Sequence, residues 1–268
     1  MNKTDCLIVL QTHSCGNNPV VKEKERYCGA PKNEVMFRCV HSLVRSINHA
    51  ASAIEEISFR LKVFDDHSDD LSLQNLATVL RKARFEASLE SLQDRGLMNS
   101  MLKCYEYGRD QGKGLVYFVQ DDYLYFDSAI HDMCYAFNDF SGALGNLVGV
   151  FPYDDPYRYQ PQNSWEMLRL VHGRTRHWRT TLRTPSCFMI HYAMLMKNWD
   201  LFYQMATSEI SAIMEDVSIN RLWTERGYYC FSPIPSLALH MGYASEKDPY
   251  IRWQELWENN NPASDTSF

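Results

Sequence analysis

Alternation of short apolar runs with amphipathic segments in the first half of the chain sharply limits its possible folds. Cys6 to Gln11 is an apolar run suited to a buried strand. From Glu34 to Ile54, apolar residues fall at 35, 36, 39, 40, 43, 44, 47, 50, 51 and 54, the three-four spacing of an amphipathic helix. Ile57, Phe59, Leu61 and Val63 alternate and predict a strand over 57–64. Leu73, Leu76, Ala77 and Leu80 predict a second helix; Met98, Met101, Leu102 and Tyr105 predict a third that stops at Gly108. Leu115 to Val119 is a fully apolar strand, and Ser128 to Phe140 is helical. This order implies an α/β fold: a mostly parallel sheet with helices on both faces, since parallel neighbours require crossovers that pass over a face.

Ligands of such sheets bind outside the carboxyl ends of the strands. The polar residues that follow each strand are therefore the candidates. They are Thr12 and His13, then Asp65, Asp66 and His67, then Gln120, Asp121 and Asp122.

The second half is less regular. Segments near 147–151, 167–171 and 179–190 are extended in pattern, and 191–207 and 209–226 are helical, with Gly227 as a stop. Residues 13–33, holding Gly16, Pro19, Gly29 and Pro31, form a long loop. No repeat or linker divides the chain, so 1–268 is expected to be one domain with a polar tail over 259–268.

Composition narrows the classes of partner. The formal charge is −6, which gives no general footprint for duplex nucleic acid or an anionic membrane. The apolar run Leu7–Leu10 is too short for a signal peptide, and no 18-residue apolar stretch exists, so a cytoplasmic chain without a transmembrane segment is expected. No two of the eight cysteines lie closer than nine positions; with no CxxC pair, free thiols are expected.

Four constellations carry chemistry. QDD at 120–122 ends an apolar strand, where carboxylates need a compensating partner: a solvated turn or a hard divalent cation. DDHSDD at 65–70 offers Asp69 or Asp70 as a helix cap and leaves Asp66 to accept the ring N–H of a pyrimidine. Glu215 and Asp216 in SAIMEDVSINRLW suit either a surface acidic pair or a general base. His240 in SLALHMG suits either a satisfied core histidine or an imidazole metal ligand. Two further groups are weaker: Asn99 and Lys103 precede QDD on a helix, and an arginine-rich stretch holds His177, Trp178 and Arg179.

In their order along the chain, these elements resemble the GT-A glycosyltransferases, which use nucleotide sugars on a Rossmann-like sheet. FDDHSDD is similar to the second-strand signature VDDGSTD of the inverting family, QDD to its DxD run, MED at 214–216 to its xED, and PSLALHMG to its C-terminal metal-histidine segment. The resemblance implies hexose transfer, with inversion, from a nucleoside diphosphate sugar, UDP-linked by expectation, to a carbohydrate or other hydroxyl acceptor. It implies Mn²⁺ or Mg²⁺ on Asp122 and His240, Asp216 as base and Glu215 beside it. Thr12 and Asp66 would hold the base, His13, Asn99 and Lys103 would contact the nucleotide sugar, and Gln120 and Asp121 the ribose or sugar. His177, Trp178 and Arg179 would line the acceptor cleft. Gln120 departs from DxD, where a carboxylate is usual; an amide is a poor metal ligand, so Gln120 favours a second reading, an inactive nucleotide- or glycan-binding module. A sugar-1-phosphate nucleotidyltransferase needs a glycine-rich loop after the first strand, and QTHSCGNNP has one glycine.

Overall fold

The computed structural model describes residues 3–14, 29–160, 168–184, 187–211, 213–242 and 250–262. Its strands are β1 (Thr4–Thr12), β2 (Ile57–Asp65), β3 (Glu86–Ser91), β4 (Leu115–Gln120), β5 (Tyr123–Tyr125), β6 (Val148–Val150), β7 (Leu170–His172), β8 (His177–Thr181), β9 (Phe188–His191), β10 (Tyr229–Ile234) and β11 (Ala238–His240). Its helices are α1 (Lys32–Ala53), α2 (Asp70–Leu80), α3 (Leu97–Gln111), α4 (Ala129–Leu144), α5 (Tyr192–Lys197), α6 (Trp199–Thr207), α7 (Arg221–Thr224) and α8 (Trp253–Asn259).

A nine-stranded sheet runs in the order β3-β2-β1-β4-β9-β6-β10-β8-β7. β9 is antiparallel to β4 and β6, and β8 is antiparallel to β10 and β7, so these two strands oppose the others. The sheet is mostly parallel, as the strand–helix alternation predicts. Helices α1, α2 and α4 pack together, as do α3, α5 and α6. Right-handed crossovers explain the division. The chain moves outward from β1 to β3 and then returns to β4, which sends α3 to the opposite face. Every residue of β4 up to Val119 is buried, as a strand covered on both faces requires.

Register positions the site. Thr12 lies opposite Asp65, and Gln11 opposite Gln120, so β1, β2 and β4 end level with one another. A two-stranded sheet pairs β5 with β11 and sets His240 opposite Tyr123.

Two helical expectations are corrected. The segment 191–207 breaks at Asn198, whose backbone and side-chain N–H groups both donate to the Met194 carbonyl, ending α5 before α6 begins. In the segment 209–226, residues 213–220 are turns that lead into only the short α7, since Ile210, Ile213 and Val217 stay exposed and leave no continuous buried stripe. β3 is an exposed, polar edge strand, which is why apolar alternation did not disclose it. Cys6, Cys39, Cys104, Cys134, Cys187 and Cys230 are buried thiols outside any disulfide; Cys15 and Cys28 and most of the 13–33 loop lie outside the described residues. No described helix is long and apolar enough to cross a membrane.

Candidate active site

The ends of β1 and β2 are joined through a carboxylate that sequence reasoning left without a role. Asp65 is fully buried and accepts hydrogen bonds from Thr12 Oγ1 at 2.9 Å, Ser68 N at 2.9 Å and Ser68 Oγ at 2.6 Å. The Thr12 hydroxyl is thus spent inside the fold, which corrects its expected contact with a base. His67 has φ +60°, and this left-handed turn lets the chain double back so that Ser68 reaches Asp65. Asp69 caps α2 by accepting from Ser72 N at 2.9 Å, so of the two cap candidates Asp69 fills the position.

Asp66 stands at the same edge. Its Oδ2 accepts from Gly96 N at 3.0 Å, and its Oδ1 faces His67 Nδ1 at 3.0 Å. Each oxygen keeps a lone pair for a further donor. His13 links this edge to β4: its Nδ1 lies 2.6 Å from the Asp66 carbonyl, and its backbone N–H donates to Asp121 Oδ2 at 2.8 Å. The structure therefore brings His13, Asp66 and Asp121 together. Asn99 and Lys103 are exposed on α3; the Asn99 amide donates to the Arg95 carbonyl, and the Lys103 ammonium lies 6.0 Å above the Phe64 ring.

At the end of β4 the two acidic residues diverge. Asp121 Oδ1 forms an ion pair with Lys32 Nζ, and side-chain exposures are only 9% and 15%. Burial pushes the Asp121 carboxyl up, and Lys32 only partly offsets it. Burial pushes the Lys32 ammonium down, but Asp121 and Asp122 together outweigh it and raise it. Lys32 was missed. Its signal was present: a cation in the first turn of a helix opposes the macrodipole and needs an acidic partner elsewhere.

Asp122 pairs with His240. Its Oδ2 lies 3.3 Å from His240 Nε2, and its carbonyl accepts from Met241 N at 2.8 Å, which locks β11 beside the strand end. Burial pushes the Asp122 carboxyl up, but His240 and then Lys32 outweigh it and hold the group at about 2. Asp122 Oδ1 is buried and has no hydrogen-bond partner. The His240 ring lies over Gly242, where a Cβ would fall 2.7 Å from Cε1 and 3.0 Å from Nε2. Tyr123 and Tyr153 flank the same ring, with centroids 5.1 and 6.5 Å away. No group of three or more His, Cys, Asp or Glu side chains suited to a metal occurs among the described residues.

Glu215 and Asp216 sit in the turns before α7. Asp216 Oδ1 accepts from Asn220 Nδ2 at 2.8 Å, and Oδ2 lies 3.3 Å from Arg183. Burial raises the Glu215 carboxyl, and Asp216 adds to the rise. The chain between β8 and β9 links these turns toward the central sheet. Thr184 N donates to Asn220 Oδ1 at 2.8 Å, and the Cys187 thiol lies 3.4 Å from the Tyr117 hydroxyl. Among the described hydrogen bonds and ion pairs, none joins Glu215 or Asp216 directly to Asp122 or His240.

The proposed acceptor residues separate. His177 is exposed and faces His172 edge to face. Trp178 is 1% exposed and packs against Phe140, so its indole is core and presents no face to a sugar. Arg179 is 3% exposed, and its Nε donates to Asp154 Oδ1 at 2.7 Å inside the protein. Both corrections have one cause: β8 pairs antiparallel with β10 inside the sheet, and its residues after His177 are all buried.

No protein-family model matches the sequence, and no curated protein matches it. Solved structures do. S. aureus TarS 1-349 aligns with TM-score 0.49 and 15% identity over 84% of this chain and 60% of its own. Its complex with UDP-GlcNAc aligns with TM-score 0.46 and 14% identity over 81% and 54%. A UDP-glucose pyrophosphorylase complexed with UDP-glucose aligns with TM-score 0.48 and 11% identity over 97% and 98%. The chain spans less than two thirds of the length of these TarS structures. At this level of likeness the site rests on its own geometry.

Proposed function

We propose that this chain binds a nucleoside diphosphate sugar, UDP-linked, and transfers its hexose to an acceptor hydroxyl with inversion. The observation that carries this reading is the Asp122–His240 pair at the carboxyl end of β4, with Asp122 Oδ1 buried and unpartnered. An oxygen of that kind is costly unless something compensates it. A hard divalent cation, Mn²⁺ or Mg²⁺, fits the carboxylate–imidazole donor set, with remaining positions open to water and phosphate oxygens. When bound, such a cation neutralises charge on the diphosphate leaving group.

The chain's own residues do the rest. Asp66 offers a carboxylate lone pair to a pyrimidine N–H, and His13 fixes its spacing from Asp121. Asp216 takes the proton from the acceptor hydroxyl oxygen as that oxygen attacks the sugar carbon, and Glu215 orients the acceptor. The attack comes from the face opposite the diphosphate, so the anomeric configuration inverts. His177, which is exposed, is assigned to the acceptor.

Titration calorimetry with UDP tests the binding half. UDP affinity is expected to rise about tenfold or more when Mn²⁺ is added, a difference of about 1.4 kcal/mol. Equal affinity with Mn²⁺ and with EDTA would overturn the metal assignment. UDP binding with no turnover of any nucleotide sugar would instead mark the chain as a binding module.

Gly242→Ala offers a local test of the histidine's seat. The added methyl must displace the His240 ring from Asp122, since the open position lies within 3.0 Å of two ring atoms. Mn²⁺-dependent UDP binding is expected to weaken by roughly 10–100-fold, as for other disturbed ligand supports. Metal-independent binding should hold. An unchanged Mn²⁺ dependence would remove His240 from the donor set.

A further inference from the structure

Lys32 shares the strand end with the two carboxylates, and none of the motifs above assigns it a role. It is the first residue of α1, and its ammonium is fixed on Asp121 Oδ1 while His13 N holds Asp121 Oδ2. Its charge also acts on Asp122, the next residue. Asp122 in turn gives one oxygen to His240 and leaves the other buried and unpartnered. The protein thus supplies a built-in monovalent cation on Asp121, one residue from the carboxylate that suits a divalent one.

Lys32 acts electrostatically on Asp122, so a second cation placed there meets repulsion. A divalent ion arriving alone on Asp122 meets Lys32 already offsetting one of the two carboxylate charges. A diphosphate changes the balance, because its negative oxygens can lie against both cations at once. We propose that Lys32 suppresses binding of the bare metal ion and moves its ammonium from Asp121 to the diphosphate, so that metal and nucleotide bind as one unit. The phosphate half of this inference rests on the nucleoside diphosphate reading above.

The test has two arms with opposite signs. Calorimetry measures Mn²⁺ alone, and then UDP at saturating Mn²⁺, on the unaltered chain and on Lys32→Met, which keeps the apolar stem. Mn²⁺ alone is expected to bind about tenfold tighter to Lys32→Met, and UDP about tenfold weaker, each a change of about 1.4 kcal/mol. Lys32→Gln, which keeps a donor for Asp121 without charge, should show the same pair of shifts, and thermal melting reports which variants fold. A lysine that merely holds structure would weaken both arms together, and that result overturns the proposal, as does no change in either. If UDP fails to bind the unaltered chain, the nucleotide reading and the phosphate half fall. The Mn²⁺ arm then decides alone whether Lys32 opposes the metal.

Discussion

Asp216→Asn is expected to lower hexose transfer by roughly two to four orders of magnitude, the usual worth of a general base. UDP affinity should be nearly unchanged, because none of the described contacts of Asp216 reaches the Asp122–His240 pair. The substitution keeps the size of the side chain and an oxygen for Asn220 Nδ2, so it isolates proton acceptance. The structure also frames the competition within the acidic pair. Arg183 stands 3.3 Å from Asp216 Oδ2. Burial raises Glu215, which strengthens that group as a base. Glu215→Gln is expected to show the smaller loss. If the two losses are reversed, the proton goes to Glu215 and Asp216 becomes the positioning residue. Retention of the donor's anomeric configuration would exclude a single displacement whichever carboxylate is essential.

The sheet was legible because its physics is periodic. The apolar run before Gln11, the alternation from Ile57 and the apolar run before Gln120 each predict a strand, and β1, β2 and β4 lie there in parallel register. Elements without periodicity were not legible. β5 and β11 have three residues each, too few for a pattern, yet their pairing is what carries His240 to Asp122. The acceptor expectation failed at Trp178 and Arg179 for a related reason. Tryptophan and arginine suit a sugar cleft and a buried core equally well as residue types, and only the place of β8 beside β10 in the sheet decides between them. Asp65 was passed over in favour of Asp66 because adjacent carboxylates on a strand look alike in sequence. In the structure one points inward to three donors and the other stays at the edge. Thr12 was misread as the other half of that same inward contact.

Arg179 carries the largest expected effect on stability. Arg179→Met is expected to cost roughly 3–5 kcal/mol, because it breaks a buried ion pair. The total stability of a domain is typically about 5–15 kcal/mol, so the variant should be marginal. The side chains of Arg179 and Asp154 are 4% and 7% exposed, which leaves little water to take over. Tyr159 still donates to Asp154 Oδ2 at 2.7 Å, but a neutral hydroxyl does not balance the charge. The consequence reaches the site through the backbone. Asp154 N donates to Ser236 Oγ at 2.8 Å, and the Pro152 carbonyl accepts from both Leu237 N and Ala238 N. These bonds hold the start of β11, the strand that ends at His240. Loosening Asp154 should therefore weaken Mn²⁺-dependent UDP binding in whatever fraction stays folded. The double variant Arg179→Met with Asp154→Asn removes both charges and should recover much of the lost stability, since no charge is then left buried at that point. Denaturant midpoints at constant slope measure the difference. An Arg179→Met protein with unchanged midpoint but impaired transfer would return the guanidinium to the acceptor cleft that the sequence suggested for it.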